Sequence, residues 1–241
     1  MKINKFRIIL ITPYKTGSTT LSKSLQNDGF KAIAERNENI DYLYRKYNYF
    51  MVKGHTAIPR TFLDKNKFDV WFTIIRKPTE IYPSAYFQEI INSGHTTYYG
   101  NKDKVLAADI KDMIKHFMKY DWDKMSHTSY DFNFNEIYKY THVDIMKLNF
   151  DKKRGFSIYK SPIRTTKVIV LTIESIFKYK KILQMLGLNI KDTIKQNRNV
   201  SKNKWYSNKY EEFKSNLPPS YFEKFKANDA EIINHFYTNK P

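Results

Sequence analysis

The sequence predicts an α/β protein with a central, mostly parallel sheet flanked by helices. Apolar runs of strand length recur along the chain, and the clearest are residues 6–12 (FRIILIT) and 167–173 (KVIVLTI). Such nearly continuous apolar runs are typical of strands that are covered on both faces. Segments with helical spacing of their apolar residues lie between these runs. Strands that alternate with helices in this way favour a parallel sheet.

The individual elements follow from local patterns. The first strand stops at Pro13, and the i, i+4 spacing of Leu21 and Leu25 predicts a helix that begins near the preceding Ser/Thr cluster. Pro83 fits a position near the first turn of a helix that begins at Thr79. Residues 119–166 are polar, aromatic and irregular. After the first strand, the predicted strands are 49–52, 69–75, 142–148, 156–160 and 167–173. After the first helix, the predicted helices are 79–91, 105–118, 174–186, 207–216 and 219–236.

Length and composition limit the classes of protein. A chain of 241 residues with 41% hydrophobic residues suits one domain, 1–241, in which we expect residues 92–166 to form an insertion. The absence of cysteine excludes disulfide scaffolds, Cys-ligated zinc, iron–sulfur clusters and thiol catalysis. No apolar run approaches the roughly 18 residues of a membrane helix, and the amino terminus lacks a signal-peptide cleavage site. We therefore expect no transmembrane segment and a cytoplasmic location.

The charge balance allows two interpretations. Lys plus Arg number 42 against 24 Asp plus Glu, so the formal net charge is +18. A polyanionic partner such as nucleic acid or an acidic glycan would explain this excess. However, the lysines are scattered along the whole chain without a dense basic tract, in a composition also rich in Asn, Ile and Tyr. We favour compositional bias for most of the excess, so function must be argued from a site.

The loop between the first strand and the first helix has the composition of an anion site. Glycine permits a tight turn, hydroxyl groups and helix N–H groups donate hydrogen bonds, and a lysine adds a positive charge. The lysine precedes the glycine, so the G-x-x-x-x-G-K-[ST] pattern of ATPases and GTPases is absent. An ordinary capped helix is the alternative explanation. The candidate ligands are Lys15, Thr16, Gly17, Ser18, Thr19 and Thr20.

Two further groups of polar residues follow predicted strands. Arg76 comes directly after the strand 69–75, and Ser84 lies eight residues further along the chain. In open α/β sheets, ligands bind beyond the carboxyl ends of the strands, where an arginine offers a planar fork to a phosphate. Lys53 and His55 follow the strand 49–52, and a histidine there is a candidate general base. The histidines show no metal-ligand spacing, so we expect no metal.

The order of these motifs resembles that of the sulfotransferase family, whose members use PAPS (3′-phosphoadenosine 5′-phosphosulfate) as the sulfo donor. The stretch ITPYKTGSTTL is similar to the family's 5′-phosphosulfate loop, and IIRKPTEIYPSAYF is similar to its 3′-phosphate motif. MVKGHTAIP resembles the K-x-H-x-x-P stretch that holds the catalytic histidine. GFSIYKSP and NVSKNKWYSNKY resemble a bacterial branch described as putative capsular polysaccharide synthesis proteins.

This resemblance implies a three-layer, P-loop-like fold and an enzyme that moves a sulfo group from PAPS to a hydroxyl, with PAP as product and no metal. It implies a carbohydrate acceptor, faced by residues 92–166, and no specific nucleic acid. It implies catalytic roles for Lys15, Lys53 and His55. The resemblance places the donor against residues 15–20, Arg76 and Ser84. The family's G-x-x-G-x-x-K motif is missing near the carboxyl terminus, and we expect a basic loop of Arg198, Lys202 and Lys204 to replace it by closing over the nucleotide.

The chain departs from the family pattern at several positions. Tyr14 replaces the proline that commonly begins the phosphosulfate loop, and Thr20 replaces an aromatic residue that stacks on adenine. Related carbohydrate-acting enzymes use a carboxylate base, so Glu35 or Asp41 is an alternative to His55. An ATP-dependent kinase and a non-catalytic basic module that binds polyanions remain the alternative functions. The sequence does not indicate an oligomeric state.

Overall fold

The computed structural model describes residues 6–13, 15–34, 42, 45–47, 49–54, 60–92, 101–119, 130–188, 190 and 204–238. The chain forms two compact units. One, the sheet unit, comprises Met1–Arg76 and Ser126–Arg198, and the other, the helical unit, comprises Lys77–Met125 and Asn199–Pro241. The segment 92–166 thus contributes to both units, and its role in facing an acceptor stays a prediction.

The sheet unit contains a six-stranded sheet with the order β2-β3-β1-β4-β6-β5. Every neighbouring pair is parallel except β5 with β6, which form an antiparallel hairpin. The predicted α/β class with a mostly parallel sheet is therefore confirmed. The strands are β1 (Phe6–Ile11), β2 (Lys31–Ala34), β3 (Tyr49–Gly54), β4 (Val70–Ile75), β5 (Phe156–Lys160) and β6 (Lys167–Thr172).

Helices flank this sheet, and a second set of helices forms the helical unit. In the sheet unit they are α1 (Ser18–Asn27), α2 (Arg60–Lys65), α6 (Tyr130–Thr141) and α7 (Tyr179–Met185), with a 3₁₀ helix at Ile173–Lys178. In the helical unit they are α3 (Pro78–Asn92), α4 (Lys102–Ala107), α5 (Ile110–Lys119), α8 (Ser207–Ser215), α9 (Pro219–Asn228) and α10 (Ala230–Phe236).

Alternation along the strands separates two buried faces of the sheet. On one face, Leu10 of β1, Phe72 of β4 and Ile169 of β6 form one cluster with Leu21 of α1 and Ile182 of α7. All five side chains are fully buried. Apolar surface removed from water contributes roughly 25 cal/mol per Å², so this layer provides much of the energy that holds α1 and α7 against the strands.

The opposite face is covered by aromatic side chains from other helices. Trp71 of β4 stacks on Tyr140 of α6, with ring centroids 5.6 Å apart and an interplanar angle of 20°. Phe68 packs edge-on against Trp71 at 6.1 Å and against Phe62 of α2 at 5.9 Å. The sheet is therefore enclosed by helices on both faces, which explains why β4 is buried at every position.

The helical unit is held together by an aromatic core. Phe213 of α8 lies at its centre, with ring centroids 5.5 Å from Tyr86, 5.2 Å from Phe87 and 5.3 Å from Phe117. Tyr221 of α9 is also buried, and its hydroxyl donates a hydrogen bond of 2.8 Å to the carbonyl oxygen of Thr79. Burial raises the pKa of the Tyr221 phenol above its usual range. None of the described helices is both long and apolar enough to cross a membrane.

Some predicted elements are wrong in extent or type. Residues 142–148, predicted as a strand, form turns in which Val143 and Ile145 are buried without strand pairing. The predicted helix 105–118 breaks at 108–109, because the Asp109 carboxylate accepts hydrogen bonds from the backbone N–H groups of Lys111 and Asp112 and starts a new helix. The predicted helix 174–186 begins as a 3₁₀ helix, and the predicted helix 219–236 is interrupted at Asp229.

Candidate functional site

The order of the strands reverses direction between the carboxyl ends of β1 and β4. After β1 the chain continues through α1 to β2, which lies on one side, whereas the next parallel strand after β4 is β6, on the other side. Two neighbouring strands whose connections leave in opposite directions form a topological switch point, where open α/β sheets bind ligands. The loop at 12–17 and the segment that begins at Arg76 both start at this point.

The backbone of the loop after β1 has an unusual conformation. Lys15 has a φ of 63°, and Gly17 has a φ of 96°, so both adopt the left-handed region. A lysine in this region is strained by about 1–2 kcal/mol, and such strained residues concentrate at functional sites. Thr16 between them is fully buried, and its hydroxyl donates a hydrogen bond of 2.8 Å to the Pro13 carbonyl oxygen. Thr16 thus stabilises the loop from inside the protein.

The end of β6 also shapes this loop. A Cβ atom added to Gly17 would lie 2.3 Å from Cδ1 of Ile173 and 3.2 Å from Cδ1 of Ile176. Residues 173–178 form the 3₁₀ helix that directly follows β6. Position 17 therefore requires glycine both for its positive φ and for the close approach of the loop to these isoleucines. This packing holds the amino terminus of α1 at the carboxyl edge of the sheet.

The amino terminus of α1 has the electrostatic character of an anion site. The helix begins at Ser18, directly after the N-cap residue Gly17, which has no side chain to cap it. The first N–H groups of a helix lack intrahelical acceptors, and the helix dipole favours negative charge there. Among the described residues of the first turn none is acidic. Ser18 is buried, whereas Thr19 and Thr20 are half-exposed at this terminus.

The other end of α1 is anchored by a buried ion pair. The carboxylate of Asp28, which follows the helix, lies 2.9 Å from the Lys180 ammonium of α7 and accepts a hydrogen bond of 2.5 Å from the Tyr179 hydroxyl. Burial, together with the neighbouring carboxylate, raises the pKa of the Tyr179 phenol. Because removal of one partner of a buried pair is costly, this contact fixes the end of α1 relative to α7.

Arg76 and Lys15 lie in contact at the switch point. The guanidinium Nη1 of Arg76 donates a hydrogen bond of 3.0 Å to the Lys15 carbonyl oxygen. Both side chains are half-buried. The structure thus places the Arg76 guanidinium on the backbone of Lys15, two residues that the sequence assigns to separate phosphate groups. A guanidinium has five N–H donors, and the bond to the Lys15 carbonyl oxygen uses one of them.

Tyr130, the first residue of α6, holds the backbone of Arg76. The Arg76 N–H donates a hydrogen bond of 2.7 Å to the Tyr130 hydroxyl oxygen, and that hydroxyl donates one of 2.5 Å to the Arg76 carbonyl oxygen. This helix and its first residue were not predicted, because residues 119–166 are polar and aromatic without an evident pattern. The signal was present, since Tyr130, Phe134 and Ile137 follow helical spacing and all are buried.

The other predicted site residues are distributed as follows. Lys53 lies in β3, in register with Leu10 of β1 and with Ala34 of β2. Ser84 lies on α3 in the helical unit. Lys204 belongs to the same unit, and its ammonium lies 5.4 Å from the centre of the Tyr206 ring. The roles of these three residues stay predictions. His55, Arg198, Lys202 and the alternative bases Glu35 and Asp41 lie outside the described residues.

Neither a group of metal ligands among the described residues nor a similar protein adds to the description of this site. The described residues contain no group of three or more His, Asp or Glu side chains that could hold a metal ion. A scan against protein-family models finds no matching family, and a search of curated proteins finds no match either.

Proposed function

We propose that this protein is a PAPS-dependent sulfotransferase that acts on a hydroxyl group, with a carbohydrate as the acceptor class. The observation that carries the proposal is the hydrogen bond between Arg76 and the Lys15 carbonyl. This bond connects the loop after β1 to the arginine that directly follows the neighbouring strand β4. The loop contributes hydroxyl groups, a lysine and the amino terminus of a helix. Such a pair of adjacent anion sites suits a nucleotide with phosphate groups at both the 3′ and 5′ positions.

The fold supports the same proposal. The five parallel strands lie in the order β2-β3-β1-β4-β6. The candidate loop follows β1, at the switch point. The finer description as a three-layer, P-loop-like fold belongs to this proposal. A cytoplasmic location also belongs to it, because PAPS supply favours that compartment.

Each residue has a proposed role that follows from charge. PAPS supplies an activated sulfo group, whose S–O bond to the 5′-phosphate breaks as the acceptor oxygen bonds to sulfur. Lys15 stabilises the negative charge that develops on the departing phosphate, and the first N–H groups of α1 hold that phosphate. Arg76 binds the 3′-phosphate. His55 accepts the proton of the acceptor hydroxyl, while Lys53 stabilises the sulfo oxygens.

Catalysis of this kind depends on position more than on covalent chemistry. Donor oxygen, sulfur and acceptor oxygen must lie nearly in line, as in phosphoryl transfer. The buried Thr16 and the glycine at position 17 set the path of the loop, and the Asp28–Lys180 ion pair fixes the far end of α1. The positions of Lys15 and Arg76 are therefore the part of the proposal that rests most directly on observed contacts.

Nucleotide binding measured by calorimetry tests the proposal. We expect 3′,5′-ADP to bind more tightly than ADP, and Arg76→Gln to remove most of this preference. A hydrogen bond to a charged group contributes about 1.5–3 kcal/mol, which corresponds to roughly a 10- to 100-fold difference in Kd. Arg164→Gln is the matched control, because Arg164 precedes β6 at the opposite edge of the sheet. Absence of 3′,5′-ADP binding would overturn the sulfotransferase proposal.

Turnover separates the catalytic residues from the binding residues. With PAPS and a hydroxyl acceptor, Lys15→Ala and His55→Ala should lose turnover by about 10²- to 10³-fold while 3′,5′-ADP binding largely survives. Full activity of His55→Ala would refute the assignment of the base. Mg²⁺-dependent turnover of ATP would favour a kinase instead. Salt-sensitive binding to DNA or heparin without any effect of 3′,5′-ADP would favour a basic binding module.

A further inference from the structure

A second concave site lies at the amino-terminal edge of the sheet, opposite the switch point. A cavity of about 680 Å³ opens between the segment that joins α2 to β4 and the turn at 161–166 that precedes β6. The six residues of β4 span about 20 Å, so this cavity is remote from Arg76 at the other end of the strand. Among the described residues that line it, none is assigned to sulfo transfer.

The walls of the cavity are built rigidly. The Ser161 hydroxyl donates a hydrogen bond of 2.6 Å to the Thr141 carbonyl oxygen and accepts bonds from the backbone N–H groups of Ile163 and Arg164. On the facing wall, the Asn66 side-chain amide donates a bond of 2.8 Å to the Phe62 carbonyl oxygen at the end of α2. Side-chain hydrogen bonds thus fix the backbone of both turns.

The lining carries an excess of positive charge. Lys65 and Lys67 line one wall and Arg164 lines the other, whereas Asp64 is the acidic residue of the described lining. All four are exposed side chains. Three cations against one carboxylate make the cavity attractive to an anion, and the planar fork of Arg164 suits a carboxylate, phosphate or sulfate group.

A buried hydroxyl group is a second indication of a ligand, independent of the charge of the lining. Thr166 lines the cavity and is only 4% exposed, and its hydroxyl oxygen has no hydrogen-bond partner within the described part of the chain. A buried polar atom without a partner is destabilising, and such groups are rare in native structures. A ligand oxygen that reached this hydroxyl would remove that cost.

The cavity also has an apolar component. Phe68 and Trp71 form its inner wall, and Ile163 is 53% exposed at its rim. Its volume lies within the roughly 300–1,000 Å³ of small-molecule sites, which combine apolar walls with a few polar groups. A single inorganic ion would fill only a small part of this volume.

We propose that this cavity binds a small organic anion of about the size of a sugar acid, sugar phosphate or sugar sulfate. Arg164 and Lys67 hold the charged group, the Thr166 hydroxyl binds a ligand oxygen, and Ile163 packs against the apolar face of the ligand. The site is independent of the sulfo donor, so it stands whether or not the sulfotransferase proposal is correct.

Calorimetric titration with glucose 6-phosphate, glucose 6-sulfate and glucuronate tests this site, with uncharged glucose as the reference ligand. We expect at least one of the charged sugars to bind and glucose not to bind. Arg164→Gln should weaken that binding roughly 10- to 100-fold. Arg76→Gln, which changes an arginine at the opposite edge, should leave it unchanged. The proposal is wrong if no charged sugar binds, or if Arg76→Gln rather than Arg164→Gln removes binding.

Thr166→Val provides a second test, because valine keeps the shape of the side chain and removes the hydroxyl. Since that hydroxyl has no partner in the described structure, the thermal midpoint of the unliganded protein should stay unchanged or rise. The same substitution should weaken binding of the charged sugar severalfold. Unchanged affinity together with a lowered midpoint would show that the hydroxyl is structural and would overturn its assigned role.

Discussion

Replacement of Gly17 by alanine tests the packing of the loop after β1. The φ of 96° costs an alanine about 1–2 kcal/mol. In addition, the new Cβ would lie 2.3 Å from Cδ1 of Ile173, so this side chain must shift. Overpacking of that kind costs about 1–3 kcal/mol. Together, the two effects predict a loss of roughly 2–5 kcal/mol in the free energy of unfolding.

Gly29 is the matched control for the backbone effect. Its φ of 92° is nearly the same, but a Cβ atom there would meet nothing within 4 Å. Urea denaturation should therefore show that Gly17→Ala loses about 1–3 kcal/mol more than Gly29→Ala. Ile173→Ala, which removes the clashing atom, should recover part of this difference in a double-mutant cycle. Equal losses for Gly17→Ala and Gly29→Ala would refute the steric argument.

The contacts of three other side chains lead to further predictions. Tyr130→Phe removes both hydrogen bonds to the backbone of Arg76, so we expect the free energy of unfolding to fall by about 1–3 kcal/mol in denaturation experiments. We also expect weaker binding of 3′,5′-ADP in calorimetry. Unchanged binding would contradict the role of Tyr130 in positioning Arg76. The raised pKa of Tyr179 means that its stabilising contribution is complete below the ordinary pKa near 10 and is lost as the pH rises further, because the unfolded chain releases this proton first. Tyr179→Phe should therefore flatten the decline in stability at alkaline pH, and a slope equal to that of the parent protein would count against this interpretation. Phe213→Ala should cost about 3–5 kcal/mol, whereas Phe222→Ala, at a side chain 45% exposed on α9, should cost little; similar thermal shifts for both would contradict the central place of Phe213.

Local patterns predicted much of the fold but failed in characteristic places. The strands at 69–75 and 167–173 were recognisable because both faces of the sheet are covered, so that most of their positions are apolar. The segment 142–148 misled because its apolar residues are buried inside turns. The helix at 130–141 was missed because aromatic and polar residues alternate within it, although its buried positions keep helical spacing. A buried apolar residue by itself does not distinguish a strand from a turn or a helix, because its burial depends on which other segments pack against it.

The sequence by itself determined the α/β class, the buried strands and the residue types of the candidate loop, because these depend on local periodicity and on side-chain chemistry. It did not determine which strand ends are neighbours. Only the tertiary structure placed β1 beside β4, with the Arg76 guanidinium on the Lys15 carbonyl and Tyr130 on the Arg76 backbone. It also showed the basic cavity at the opposite edge, whose walls come from residues about 100 positions apart. Contacts between distant segments arise from the packing of whole elements, so they are not encoded in any one local pattern.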